Sequence, residues 1–393
     1  MTAFALTSDQ QAIISTVRDW VERRVIPTAP DLEHADVFPD ELTAEMKDLG
    51  LFGVTIAEEY GGLGLDLTTY ALIQVELARG WMSLSGILNT HFISAWMIKT
   101  FGTEAQRERY LPRMAAGELR SAYSMTEPEA GSDVQAIRTR AVRDDDGWAI
   151  TGQKMWTTNG LRAGMVMLLA KTNPDATPTH RGMTAFILEK EPGVSEQPGL
   201  TIPPPLRKLG YKGVESTELV FDGFRAPADA VLGGDAGVGQ GFKYFMAGVE
   251  LGRVNVAARG VGIAMSAFEN AIRYAQERHT FGKPIAQHQA IQLKLADMAT
   301  KIEASRLLML SAAAKKDAGE RADLEAGMAK LFATEAAQEV VTDALRIYGG
   351  YGYSLEYPIE RLYRDTPLLI VGEGTSEIQR LIIARRLLEH YAI

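Results

Sequence analysis

The sequence predicts an α+β protein, mostly α-helical, with a helical first domain over residues 1–120, a β domain over 121–230 and a four-helix-type bundle over 231–393. Three observations carry this. Apolar residues recur at helical spacing through the first third, the period shortens from about Ser121, and past Pro227 the helical period returns and stays. At 393 residues the chain also exceeds what one hydrophobic core organises, so two or three domains are expected.

Ser8 and Gln11 fit a capping box that opens the first helix. Ile13, Ile14, Val17, Trp20, Val21 and Val25 then form one amphipathic face, and Pro27 is expected to stop it. Further stripes run through Leu42, Met46 and Leu49, over 70–78 and over 87–101, with one more helix over 104–114 ending near Gly117. The Gly61-Gly62-Leu63-Gly64 run lacks the dinucleotide spacing and reads as a loop.

In the β region, Asp146-Gly147 separates two short alternating runs, a hairpin signal. Residues 165–170, 184–188 and 218–221 are further strand-length runs punctuated by turn residues. Beyond Pro227, residues 241–277, 287–317, 324–348 and 376–390 carry long apolar faces, which pack as a bundle when short connections join them.

Composition narrows the function. A net charge of -9 and a pI near 5.4 argue against nucleic acid as a partner, because phosphate binding needs a basic footprint. With no cysteine there is no thiolate chemistry and no disulfide, and the six histidines do not fall at metal spacing, so no metal is expected. No apolar run is long enough to cross a bilayer and no leader pattern precedes Thr7, so the expectation is a cytoplasmic protein without a membrane partner.

Residues 368–380 stand out. An apolar run ends at Gly372-Glu373-Gly374, and Ser376 with Gln379 fits a capping box opening a helix. A carboxylate in that setting serves as a general base once a cavity desolvates it.

Four strings complete the pattern. They are Tyr123-Ser124-Met125-Thr126-Glu127-Pro128-Glu129-Ala130-Gly131-Ser132-Asp133, Lys154-Met155-Trp156-Thr157-Thr158-Asn159-Gly160, Arg278-His279-Thr280-Phe281-Gly282-Lys283-Pro284, and Ile347-Tyr348-Gly349-Gly350-Tyr351-Gly352 followed by Gly372-Glu373-Gly374-Thr375. In this order, on a helix–β–helix plan, the chain resembles the FAD-dependent acyl-CoA dehydrogenases over nearly its full length.

That resemblance implies a base, Glu373, which removes the α-proton of an acyl-CoA thioester while the β-hydride passes to FAD. It implies Trp156 against the isoalloxazine and Thr158 at its reactive nitrogen, two residues apart on one strand and so on one face. It places Arg278 and Phe281 at pyrophosphate and adenine, with Gln289, Arg346, Gly349 and Gly350 completing that pocket, often across a subunit interface. Tyr123, Met125, Thr126, Gly131, Ser132, Thr375 and Glu377 are implied toward the cofactor, and Ser132, Glu250, Arg253, Glu373 and Gly374 toward the substrate. Some relatives carry the base just before the arginine matching Arg253; here that position is Gly252. Glu250, one turn before Arg253, is expected to pair with it. Electron-transfer flavoprotein as acceptor and a homotetramer are implied as well.

Two departures stand against the pattern: Gly372 where relatives commonly have tyrosine, and Arg346 where they commonly have glutamine. The stretch 81–98 contains no Arg or Lys where glutaryl-CoA relatives use an arginine, so a dicarboxylic substrate and oxidative decarboxylation are not expected. The alternatives are a biosynthetic dehydrogenase of carrier-protein thioesters, a flavin-dependent monooxygenase on the same fold, and a non-catalytic helical scaffold.

Overall fold

The computed structural model describes residues 6–392; residues 1–5 and 393, at the outer ends of the first and last expected domains, lie outside the described residues. The N-terminal helices are α1 (Ser8–Trp20), α2 (Ile26–His34), α3 (Asp40–Asp48), α4 (Leu67–Phe101) and α5 (Glu104–Ala115). Eight strands follow: β1 (Ser121–Ser124), β2 (Arg140–Asp144), β3 (Gly147–Thr158), β4 (Met165–Lys171), β5 (Met183–Glu189), β6 (Glu196–Gln197), β7 (Leu200–Thr201) and β8 (Ser216–Ala226). The C-terminal part comprises α6 (Gly241–Glu277), a small hairpin of β9 (His279–Thr280) and β10 (Lys283–Pro284), α7 (Gln289–Asp317), α8 (Asp323–Tyr348), α9 (Ile359–Val371) and α10 (Ser376–His390).

Several expectations shift at the level of local chemistry. Thr7, not Ser8, caps α1, in a reciprocal box with Gln10. The first helix does not stop at Pro27: a single π turn, Val21–Val25, joins α1 to α2, where Pro27 falls in the first turn and its missing N–H leaves no bond unmade. The two stripes at 70–78 and 87–101 belong to one helical run, broken at Trp81, whose φ of -160° and ψ of 113° are extended. Helix α9 and strand β1 lie outside the expected elements.

The eight strands form one sheet in the order β1-β4-β2-β3-β8-β7-β6, with β5 on the other side of β4. The β2–β3 hairpin pairs Asp144 with Gly147 across the expected turn. One core cluster runs from α1 through α4 and α6 to α9, and a second lies within the sheet around Trp148, Phe186 and Phe221.

The crossing of α4 and α6 organises the helical core. Gly262 brings α6 so close that an added Cβ would meet the Val75 carbonyl oxygen at 2.3 Å. Such contact leaves little freedom for either helix to move, so side chains along the crossing hold fixed positions.

Candidate functional site

The turn between α9 and α10 sets Glu373 at this crossing. Glu373 has a φ of 51° and Gly374 a φ of 89°, so two consecutive residues take the left-handed region and reverse the chain between the helices. Lys330 of α8, fully buried, fixes the turn from below: its Nζ donates to the Ile370 carbonyl at 3.2 Å and the Gly374 carbonyl at 2.7 Å. Thr375, not Ser376, caps α10, with Oγ1 accepting from the Ile378 N–H at 3.3 Å, while Gln379 donates to the Gly374 carbonyl at 3.1 Å. Ser376 is buried instead, because the cap belongs to the residue that still has extended backbone.

The carboxylate reaches α4 on one side and α6 on the other. Its Oε1 accepts from Asn89 Nδ2 at 2.6 Å. Its Oε2 is buried without a partner and lies where a Cβ on Gly252 would stand, 2.0 Å from it. Gly252 is therefore the space the carboxylate occupies. Burial raises the Glu373 carboxyl above its ordinary range, against the opposing pull of Arg259, Lys330, the Asn89 amide and Arg253. Burial also lowers Lys330, to about 8. The main-chain N–H of Glu373 donates to no described backbone acceptor.

Arg253 is buried and its Nε has no partner. Glu250 does not pair with it: Glu250 accepts from Lys316 Nζ at 2.9 Å, because α7 brings that ammonium to its side of α6.

The β domain holds a second group. A buried ion pair, Lys154 Nζ to Glu127 Oε1 at 2.8 Å, ties the 125–139 loop to β3, and Lys154 also donates to the Met125 carbonyl at 2.9 Å. Burial pushes Lys154 down to about 8, against the pull of Glu127. The Met155 N–H donates to the Thr126 carbonyl at 2.9 Å, so Thr126 stands beside β3. Gly131 and Ser132 are exposed on that loop, and a Cβ on Gly131 would meet nothing within 4 Å. Tyr123 is committed elsewhere: its hydroxyl donates to the Phe245 carbonyl of α6 at 3.0 Å. Trp156 and Thr158 do not sit on one face by simple alternation. A register shift between Lys154 and Thr157, with Trp156 at a φ of 60°, bulges the strand and turns the indole outward, 53% exposed.

A third group lies at the far end of the bundle. Arg278 ends α6, with its guanidinium carbon 5.9 Å from the Tyr351 ring. Phe281 has a φ of 51° and is 96% exposed, and Gln289 opens α7 in solvent. Gly349, at a φ of 62°, ends α8, and neither it nor Gly350 has an atom within 4 Å of an added Cβ. Arg346 is exposed and lies 3.6 Å from Asp343. Glu377 is exposed in the first turn of α10, where hydrogen bonds to its own main chain and to Thr375 lower its carboxyl. Outward aromatic faces, open glycine backbone and the Arg278 guanidinium suit a flavin dinucleotide in chemical type.

Sequence reasoning missed Asn89, Arg259 and Lys330. Each is a buried polar residue on a largely apolar helix, with no spacing that ties it to Glu373. Metal spacing was absent from the sequence, yet folding assembles Glu33, His34 and Glu360, whose atoms are within 4.8 Å of one another. Arg364 bonds both of those carboxylates, so the trio is already engaged as an ion-pair network.

The family models for the acyl-CoA dehydrogenase N-terminal, middle and C-terminal domains match residues 7–118, 122–224 and 239–388. An acyl-CoA dehydrogenase of Bacillus subtilis (strain 168) is 41% identical over 384 residues, covering 98% of this chain and 99% of that one. The butyryl-CoA dehydrogenase structure from Megasphaera elsdenii has a TM-score of 0.93 at 38% identity, covering 98% of this chain and 100% of that one. A chain solved with work on an electron transferring flavoprotein of Acidaminococcus fermentans has a TM-score of 0.94 at 37% identity, covering 98% and 100%.

Because its pKa is raised on folding, Glu373 favours the fold most while protonated, and that contribution is lost as pH rises through the raised value. Glu373→Gln should therefore raise the unfolding midpoint near neutral pH, and the gain should shrink toward about pH 4, where the unfolded carboxyl also protonates. Thermal denaturation across a pH series checks this; no gain at neutral pH would mean that the buried charge is fully compensated.

Proposed function

The chain belongs to the acyl-CoA dehydrogenase family and is an oxidoreductase of that kind, and from that premise we propose that it introduces an α,β double bond into an acyl thioester of coenzyme A, with Glu373 as the base. The observation that carries this reading is the Glu373 carboxylate itself. One oxygen is oriented by Asn89 while the other is buried, unpartnered and backed by Gly252. A lone pair so placed is available to a C–H proton, and the raised pKa brings the group nearer to working pH as a base.

A thioester α-proton is too weakly acidic for a carboxylate alone, so the carbonyl oxygen must be polarised as charge develops on it. The unengaged Glu373 N–H is the donor this chain offers. It moves with the base, so one turn fixes both groups, and Lys330 holds that turn through two carbonyls.

Members of the family are FAD-dependent, and FAD would supply the acceptor for the β-hydrogen with its electron pair. Trp156, Thr158, Thr126, Gly131 and Ser132 would hold the flavin half, with Tyr123 and Met125 shaping the wall behind them. Arg278, Phe281, Gln289, Arg346, Gly349 and Gly350 would hold the adenine half, and Thr375 and Glu377 would contribute from the start of α10. The exposure of Phe281 and the open glycines supports completion of that half by a second copy, and a homotetramer is the assembly proposed from the family resemblance. An electron-transfer flavoprotein is the proposed acceptor, supported by the likeness to the Acidaminococcus fermentans chain. Gly372, with no side chain beside the base, leaves the site wider than a tyrosine would.

Anaerobic bleaching of the bound flavin by a panel of acyl thioesters tests the reading. General base catalysis contributes about 10²–10⁴-fold, so Glu373→Gln should lower flavin reduction by at least that order, with FAD content and thioester binding retained. Near wild-type reduction in that variant would remove Glu373 as the base. Arg278→Ala should release FAD far more readily while the secondary structure by circular dichroism stays the same. Unchanged FAD affinity would remove the cofactor reading of that motif.

A further inference from the structure

The α4–α6 crossing carries a second polar contact that the proposed desaturation does not use. Asn89 and Gly252 flank the Glu373 carboxylate. One turn back along α4, and two turns on along α6, Arg259 Nε donates to Ser85 Oγ at 3.0 Å. Helical rise places this contact about 6–10 Å from the first. Arg259 is 4% exposed. Its guanidinium also shares a hydrogen bond with the Tyr211 hydroxyl, and no described carboxylate forms an ion pair with it. Tyr211 closes the same wall. Its φ of 54° turns it onto α4, where a Cβ on Gly86 would lie 1.6 Å from its hydroxyl, and its ring centroid is 5.9 Å from the Arg259 guanidinium carbon.

A buried guanidinium is costly without an anion. Glu373 feels Arg259 as its strongest opposing charge but forms no ion pair with it, being held at Asn89. Arg253, the other buried arginine of α6, differs in feeling Glu250 and Asp323 more strongly than Glu373. Arg259 thus presents a guanidinium with no carboxylate paired to it, on a stem held by Ser85 and Tyr211, and the guanidinium fork suits a carboxylate.

We propose that Arg259, with Ser85 and Tyr211, binds a carboxylate at the far end of a short acyl chain, so that the substrate class is the CoA thioester of a dicarboxylic acid. This deepens the desaturase reading and rests on it. Of the span between the two contacts, about 3 Å separates the base from the α-carbon and about 2.8 Å the carboxylate from the guanidinium. At the upper end of that span about 4 Å remains, which accommodates two or three carbon–carbon bonds, as in a four- or five-carbon diacid. The sequence expectation against a dicarboxylate counted cations along α4 alone; the cation comes from α6, where helix packing brings it to Ser85.

The test uses thioesters that are already desaturated, which the oxidised holoenzyme binds without reduction of its flavin. Calorimetry compares fumaryl-CoA with crotonyl-CoA, and glutaconyl-CoA with 2-pentenoyl-CoA, each pair differing in a terminal carboxylate against a methyl. The carboxylate member of at least one pair should bind about 10- to 100-fold more tightly. Arg259→Met should abolish that preference and Arg259→Lys should keep part of it, with FAD content confirming the fold. Equal or tighter binding of both methyl members by the wild type would overturn the proposal. So would equal weakening of both members of a pair by Arg259→Met, which would mean that Arg259 acts only through Glu373 or the fold. Flavin bleaching separates the two levels. Bleaching by butyryl-CoA but by no dicarboxylyl thioester would sink this inference and leave the desaturase reading standing. Bleaching by no thioester would sink both.

Discussion

The structure depends on one constraint: a carboxylate must be buried among cations without being paired to any of them. Arg259, Lys330 and Arg253 all pull on Glu373, yet its hydrogen bond is to a neutral amide, Asn89. Direct contact with a guanidinium would hold the carboxylate ionised and occupied, a salt bridge rather than a base. Without nearby positive charge, burial alone would drive it to the protonated form. The arrangement lies between these limits, and the helix crossing maintains it.

Each surrounding feature serves that placement. Gly252 yields the volume that Oε2 fills, and the left-handed pair Glu373-Gly374 aims the side chain between α4 and α6. Lys330 spends its donors on the main chain of the turn, not on the carboxylate, so it positions the base while adding to the local positive field. The buried Lys154–Glu127 pair repeats this logic in the β domain, where a fixed ion pair holds an exposed loop against the strand bearing Trp156 and Thr158.

Long elements were legible in the sequence because their signals are redundant. Helices α6 and α10 begin and end where the apolar period and flanking residues place them. Short or mixed elements were not: β1 has four residues and gains its place from parallel pairing with β4, while α9 contains Pro367 and alternates charged with apolar residues. The caps slipped by one residue at Thr7 and Thr375 because adjacent hydroxyls are equivalent until the backbone chooses between them. Glu373 was legible through its glycines. Asn89, Arg259 and Lys330 sit on three different helices, so no spacing links them; only the packing of α4, α6 and α8 gathers them around one carboxylate.

The central claim is that Glu373 exchanges a proton with the α-carbon of a bound thioester. Its most direct measurement avoids redox chemistry: holoenzyme incubated in deuterium oxide with 3,3-dimethylbutyryl-CoA, which has α-hydrogens but no β-hydrogen to give up, followed by NMR of the recovered thioester. The account predicts deuterium at the α-carbon with the wild type and none above background with Glu373→Gln. Equal incorporation by both proteins, or none by either while the thioester is bound, would contradict it.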